Sequence, residues 1–248
     1  MARRGPLLGV LVWSLAAGCG GTASAPAAPT PPVTLSPVVV PPPPSSPTWD
    51  LDTRGVPRFI ARDYLDVSRI AAISKFRSAE GHDYSDGVET CRSMKHYFRP
   101  ADPWRSASIP IASPIAGRIG AVDQEWAGAQ IAIVSSEFPA FRVILFHVNA
   151  TVALIEGLPL EAGQALGTHI GEQTWSDVAV AVETLQGRRL VSWFDAITDD
   201  AFERYRARGL VSRGDAIITR AARDAAPLSC AGETFANPGT LTNWFSLR

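Results

Sequence analysis

From Gly5 to Trp49 the chain carries no charged side chain, and ten of its twenty prolines fall within residues 26–47. A segment of that composition cannot bury enough apolar surface to offset the entropy of ordering itself, so any fold must be built from the residues beyond it. The first residues have a logic of their own. Met1-Ala2-Arg3-Arg4 is a positive start, Leu7 to Leu15 an apolar stretch and Ala16-Ala17-Gly18-Cys19 a small-residue exit, which together have the layout of an export signal. A membrane span needs roughly 20 apolar residues. This run is interrupted at Gly9 and ends at Gly18, which argues against a permanent transmembrane anchor.

The Ala-Ala-Gly-Cys ending resembles a bacterial lipobox, in which a small residue precedes a cysteine that is lipidated and becomes the new first residue. Leu15 stands at minus four, where the usual pattern has leucine at minus three. The resemblance implies a lipoprotein signal peptide over 1–18, lipidation of Cys19 and anchoring to a membrane. Lipid chains contribute about 0.8 kcal/mol per buried methylene, so multiple acylation would hold the protein durably. Gly20 is not the aspartate that retains many lipoproteins in the inner membrane, which favours an outer membrane in a cell that has one. Residues 19–48 then form a Pro/Ala-rich tether, extended at about 3.1 Å per proline-rich residue. Residues 49–248 have the size of one globular domain with a substantial core.

Charge and cysteines narrow the partners and the compartment. With 23 basic and 24 acidic residues the net charge is −1, so no nucleic acid is expected among the partners. Apart from Cys19 only Cys91 and Cys230 remain. In an exported protein they are expected to form one disulfide, the alternative being two separate buried thiols.

Within the globular part, apolar residues from Ile60 to Ser74 lie near helical spacing and predict a short helix. From Ile109 to Val191 the pattern becomes short apolar runs separated by glycine: 109–111, 117–122, 130–134, 142–147, 162–167, 178–183 and 189–193. Regularly spaced runs of this length predict an antiparallel β sheet folded on itself. Residues 199–208 and 215–223 read as helices, and Arg204, Arg206, Arg208 and Arg213 as a solvated face with Asp199, Asp200 and Glu203. His96 reads as structural. Trp104, Trp126 and Trp175 could line a cleft for glycan or peptide, or be buried.

The β region has a further order. Pro114-Ile115-Ala116-Gly117-Arg118-Ile119 is followed by Gly128-Ala129-Gln130-Ile131-Ala132-Ile133, then by Val143-Ile144-Leu145-Phe146-His147 and by Gly163-Gln164-Ala165-Leu166-Gly167. This succession resembles the lysostaphin-type murein endopeptidase domain, the duplicated hybrid motif fold, over about residues 80–195. The resemblance implies a mainly β protein: a lysostaphin-like antiparallel sheet or sandwich with flanking helices, to which the residues themselves add a C-terminal helical extension over 196–248 that resembles nothing assignable. It also implies a cell-wall setting, with peptidoglycan or another wall hydrolase as partner.

The family's first metal motif is histidine followed four residues later by aspartate, and Gly81-His82-Asp83-Tyr84-Ser85-Asp86 has that spacing. A catalytic zinc takes three protein ligands at about 2.0–2.2 Å plus a water that it turns into a nucleophile. Carried over, the resemblance makes His82 and Asp86 ligands and His147 the catalytic histidine. The third ligand comes in the family from a late His-x-His strand, and here that strand reads Trp175-Ser176-Asp177-Val178-Ala179-Val180. One register puts Ala179 at the ligand position. The other puts Asp177 there, with Trp175 at the catalytic one, and His169 is a further substitute. Either way an imidazole is missing, which implies no cofactor or a weakly held zinc ion. The expectation is a binding or hydrolase-regulating module without catalysis; the alternative is a zinc endopeptidase that cuts stem peptides.

Overall fold

The computed structural model describes residues 47–248; the expected export signal, Cys19 and most of the expected tether lie outside the described residues. Among the described residues no helix is long and apolar enough to cross a membrane. The described residues contribute thirteen strands: β1 (Ile70–Ser74), β2 (His96–Pro100), β3 (Pro110–Ala112), β4 (Gly117–Glu125), β5 (Gly128–Ser135), β6 (Phe141–Ala150), β7 (Pro159–Leu160), β8 (Ala165–His169), β9 (Ser176–Thr184), β10 (Gly187–Val191), β11 (Cys230–Ala231), β12 (Thr234–Phe235) and β13 (Trp244–Ser246). Four short helices accompany them: α1 (Leu51–Arg54), α2 (Trp193–Ala196), α3 (Asp199–Arg206) and α4 (Arg220–Ala225). The protein is mainly β.

Eleven strands make one antiparallel sheet whose main path is β13-β1-β2-β9-β6-β5-β4-β7. The long strands β6 and β9 organise it by serving different partners at their two ends. Phe141–Phe146 of β6 pairs with β9, whereas Val148–Ala150 pairs with β8. Likewise Ser176–Val178 of β9 pairs with β2 and Val180–Thr184 with β10. A strand that changes partners along its length bends the sheet around itself.

Both faces of the central strands are covered. Val143 and Leu145 of β6 and Val178, Val180 and Val182 of β9 join the main core, while Ile144, Phe146, Ala179 and Ala181 face a smaller cluster with Phe76, Met94 and Leu190. This explains why these strands read as unbroken apolar runs rather than as alternating patterns. The helices and the segment before β1 close the main core, with Trp193, Phe194, Phe202 and Tyr205 all buried.

Several sequence expectations are corrected. Residues 60–74 hold no α-helix: a 3-10 turn at Val67–Arg69, capped by Asp66, leads into strand β1. Ile70, Ala72 and Ile73 are buried because β2 and β13 offer ladder partners on both sides, and that packing overrides local spacing. The expected helix at 215–223 is a 3-10 turn at Arg213–Ala216 followed by α4. Of the four arginines expected on a solvated face, Arg204 and Arg206 are exposed, Arg206 pairing with Glu203, whereas Arg208 and Arg213 are turned inward. Arg208 donates to the carbonyls of Val67 and Ile70, Arg213 to those of Phe194 and Ile197, and Arg204 is paired with Asp63. Cys91 and Cys230 are disulfide-bonded, closing 139 residues of separation.

Candidate functional site

The resemblance singled out His82, Asp86, His147 and Asp177, and the structure brings three of them to one cleft. The cleft, of about 790 Å³, is lined by His82, Tyr84, Lys95, Tyr97, Trp126 and His147, with Glu125, Gln130, Thr174 and Glu233 along its edges. Its floor is set by sheet register: Tyr97 of β2, Asp177 of β9 and Phe146 of β6 lie side by side in adjacent strands. Strand alternation puts Asp177 on the face of Ala179 and Ala181, away from Val178 and Val180.

A bulge aims His147. Between the pairs Ile131↔Leu145 and Ala129↔Val148 one residue of β5 faces two of β6, Phe146 and His147. His147 takes a φ of 59°, a left-handed conformation that a histidine adopts only when its surroundings impose it. Regular alternation would send its ring into the main core after Leu145. The extra residue turns it to the cleft instead, while Val148 returns to the core. Gly128 makes this possible, because a Cβ there would lie 2.8 Å from the Val148 carbonyl oxygen. Gly81 serves the other wall in the same way, since a Cβ there would fall 2.0 Å from the Tyr97 hydroxyl.

At the centre of the floor lies a side chain that the sequence motifs do not single out. Lys95 Nζ sits 2.9 Å from Asp177 Oδ2 and 3.3 Å from His82 Nε2. The lysine and aspartate side chains are 2% and 0% exposed. The ammonium also lies 3.7 Å from the centre of the Phe146 ring and 4.5 Å from that of Tyr84. His82 Nδ1 is 3.0 Å from the Asp83 carbonyl oxygen, which can only accept, so the proton is on Nδ1 and Nε2 is free to accept from Lys95. His147 Nδ1 donates in the same way to the Ala127 carbonyl at 3.1 Å, and its Nε2 stands 3.4 Å from Asp177 Oδ1. Glu233 approaches His82 Nδ1 at 3.9 Å and Glu125 approaches His147 Nδ1 at 3.6 Å. Glu233, His82, Lys95, Asp177, His147 and Glu125 thus follow one another across the cleft, with hydrogen bonds only from Lys95 to His82 and Asp177. Burial, helped by Asp177, pushes the Tyr84 hydroxyl up to about 12 and that of Tyr97 higher still, so both rings serve as neutral walls.

Asp86 is not part of this arrangement. Its side chain is wholly buried on the far side of Tyr84, where it accepts from Arg189 Nε at 2.8 Å and from the amides of Val88, Glu89 and Leu190 at 3.0–3.1 Å. Burial alone would raise its pKa; Arg189 and the amides outweigh it and hold the carboxyl below its ordinary value. Asp83, the intervening acid, is likewise used up within its loop by Cys91 N and Arg92 N. His169 is buried in β8, accepts from Gly171 N through Nδ1 at 2.9 Å and does not line the cleft; burial, with His147 nearby, pushes its pKa down to about 4. Trp175 packs edge-on against Trp244. His96 is buried, bonded to the Ser74 carbonyl and the Ser192 hydroxyl, with its pKa pushed down to about 4 by burial.

The donor set does not fit a zinc ion. Zinc asks for three ligands at about 2.0–2.2 Å. Here the imidazole and carboxylate that converge are bound to an ammonium, and the Asp86 carboxylate is bound to a guanidinium. Among the described residues no group of three or more His, Cys, Asp or Glu side chains is placed to hold a metal ion.

No family model matches the chain. No curated protein is detectably similar to it in sequence. Among solved structures it is similar to a Ruminococcus gnavus protein assigned as the glycyl-glycine endopeptidase LytM, with 15% identity over 40% of this chain and 43% of that one and a TM-score of 0.34. It is also similar to lysostaphin, at 15% identity over 45% and 49% of the two chains and a TM-score of 0.28. A chain of the SpoIIQ–SpoIIIAH pore-forming complex gives 7% identity over 60% and 98% and a TM-score of 0.39. The chain spans less than half the length of the LytM and lysostaphin chains. Likeness at this level assigns neither family nor activity.

Proposed function

We propose that this is an exported, lipid-anchored cell-envelope protein whose cleft binds peptidoglycan without cutting it. The observation that carries the reading is the closed ion pair on the cleft floor. Both histidines turn their Nε2 atoms to Lys95 and Asp177 rather than to an open coordination position, so the cleft offers a surface to hold a ligand and no activated water. What it offers is suited to wall material. Trp126, 76% exposed at the tip of the β4–β5 hairpin and 6.0 Å from the His147 ring, presents a flat apolar face on which sugar rings pack. Gln130, Thr174, Glu125 and Glu233 add hydrogen-bonding groups around it. The ordered motifs that resemble the lysostaphin type support the same setting, and Cys19 would supply the anchor.

The experiment is co-sedimentation of the full chain with purified wall sacculi, together with metal analysis and mass spectrometry of the digested material. Retention that Trp126→Ala weakens, with no new amino termini released from the sacculi, is the expected result. One equivalent of zinc with His82-dependent cleavage would establish the zinc endopeptidase instead. Absence of retention together with capture of a wall hydrolase would move the role to regulation of that enzyme.

A further inference from the structure

We infer that the Lys95 ammonium is the resident cation of this cleft and that it keeps divalent metal out of a position where metal-type donors already converge. The inference rests on the non-cutting reading and says why the cleft would have that character. The His82 imidazole comes from the loop before β2 and the Asp177 carboxylate from β9, and both lone pairs point at one atom, Lys95 Nζ. The tautomer of His82 is fixed for this purpose, because its Nδ1 proton is committed to the Asp83 carbonyl. The rings of Phe146 and Tyr84 cover other approaches to the cation, at distances where their negative faces attract it.

Lys95 cannot easily make way. Its departure would leave Asp177 as an unpaired charge with no exposed surface, a costly state for a carboxylate. It is also tethered, so it competes with any free ion at high effective concentration and without losing translational freedom. A dissolved dication would have to displace the ammonium, surrender its own hydration and bind with only His82, Asp177 and, after a shift, His147 in reach. The further acid that the sequence spacing supplies, Asp86, is held by Arg189. The same geometry says what the lysine covers: remove the ammonium and its stem together, and an imidazole and a carboxylate face the space it filled.

The test is a titration of the full chain and of Lys95→Ala with Co²⁺ and Zn²⁺, read by the cobalt absorption spectrum and by the ring resonances of His82 and His147. Wild-type His82 should not respond to equimolar metal. Folded Lys95→Ala should bind at least about tenfold more tightly than wild type, and adding His82→Ala should abolish the gain. A wild-type His82 response at equimolar metal would overturn the inference, as would a folded Lys95→Ala with no gain in affinity. The wild-type titration decides even if Lys95→Ala does not fold. Sacculus binding is scored separately, so failure of the wall-binding reading and failure of the resident-cation inference give different results.

Discussion

Asp86 and Asp177 are both carboxylates with no exposed side-chain surface, each beside a cation at 2.8–2.9 Å, yet they play opposite parts. Asp86 is saturated: Arg189 and three backbone amides use its oxygens, and its role ends in tying the loop after His82 to β10. Asp177 is bound on one oxygen by Lys95, while the other faces His147 across 3.4 Å and has no full hydrogen bond. Burial and pairing alone therefore do not tell the two acids apart; their neighbours do, since Asp177 lies between Lys95 and His147 under the cleft while Asp86 lies among Arg189 and backbone amides.

The largest expected effect comes from breaking the Lys95–Asp177 pair. Lys95→Met keeps the stem and removes the charge, leaving Asp177 buried and unpaired, and should cost about 3–5 kcal/mol in denaturant unfolding. The double variant Lys95→Met/Asp177→Leu should recover most of that loss, since replacing both members of a buried pair by apolar groups is often near neutral. A double variant as unstable as the single one would mean that Asp177 acts through other partners, and the contrast with Asp86 would fail.

The loop that carries His82 and Asp86 has a second anchor, and removing it sharpens the comparison. Cys91→Ser/Cys230→Ser opens a closure of 139 residues and should destabilise by about 2–4 kcal/mol. It should also free the β11–β12 hairpin, which brings Glu233 to His82. If Asp86 alone fixes the loop, His82 will keep its ring signals in the protein without the disulfide. If the disulfide shares the task, they will broaden.

How much of this was legible depends on the range of the forces involved. Most strands from Pro110 to Val191 announce themselves in short apolar runs, since each needs only its own side chains to mark it; the two-residue β7 at Pro159–Leu160 does not, and β8 lies about three residues beyond its expected start. The Cys91–Cys230 bond comes from counting. β1 and β2 did not announce themselves, because Ile70–Ser74 becomes a strand only through ladders to residues 98–100 and 244–246. The place of Lys95 depends on three separate segments meeting, although one signal was present: a lysine inside the apolar run Met94-Lys95-His96-Tyr97-Phe98 must either leave the core or find a buried acid. The family resemblance, carried by a four-residue spacing, put Asp86 with His82. A turn can as easily send the two side chains to opposite sides of a ring, here that of Tyr84.

A smaller effect reads the Asp86 site by pH. The folded-state pKa of Asp86 is lowered, so the unfolded chain takes up its proton first as the solution is acidified. The stability that Asp86 supplies is thus complete above the ordinary carboxylate pKa and is lost as pH falls through the lower folded value. Asp86→Asn should cost about 1.5–3 kcal/mol near neutrality, the worth of charge-assisted bonds, and should flatten the decline of stability below about pH 4. A variant with an unchanged acid limb would show that Arg189 and the amides do not hold the carboxylate as the geometry says.

The smallest expected effect on folding belongs to the residue with most at stake in binding. Trp126 is 76% exposed, and its main neighbour is the His147 ring. Trp126→Ala should therefore change unfolding free energy by no more than about 0.5 kcal/mol. If the cleft holds sugars or peptide against that ring, retention on sacculi should nonetheless fall by about tenfold, the loss of one aromatic contact of about 1–2 kcal/mol. Stability and binding then move independently at Trp126, whereas at Lys95 they must move together because the ion pair is both cleft floor and core. A Trp126→Ala protein that is as stable as wild type and sediments as well would place the ligand elsewhere.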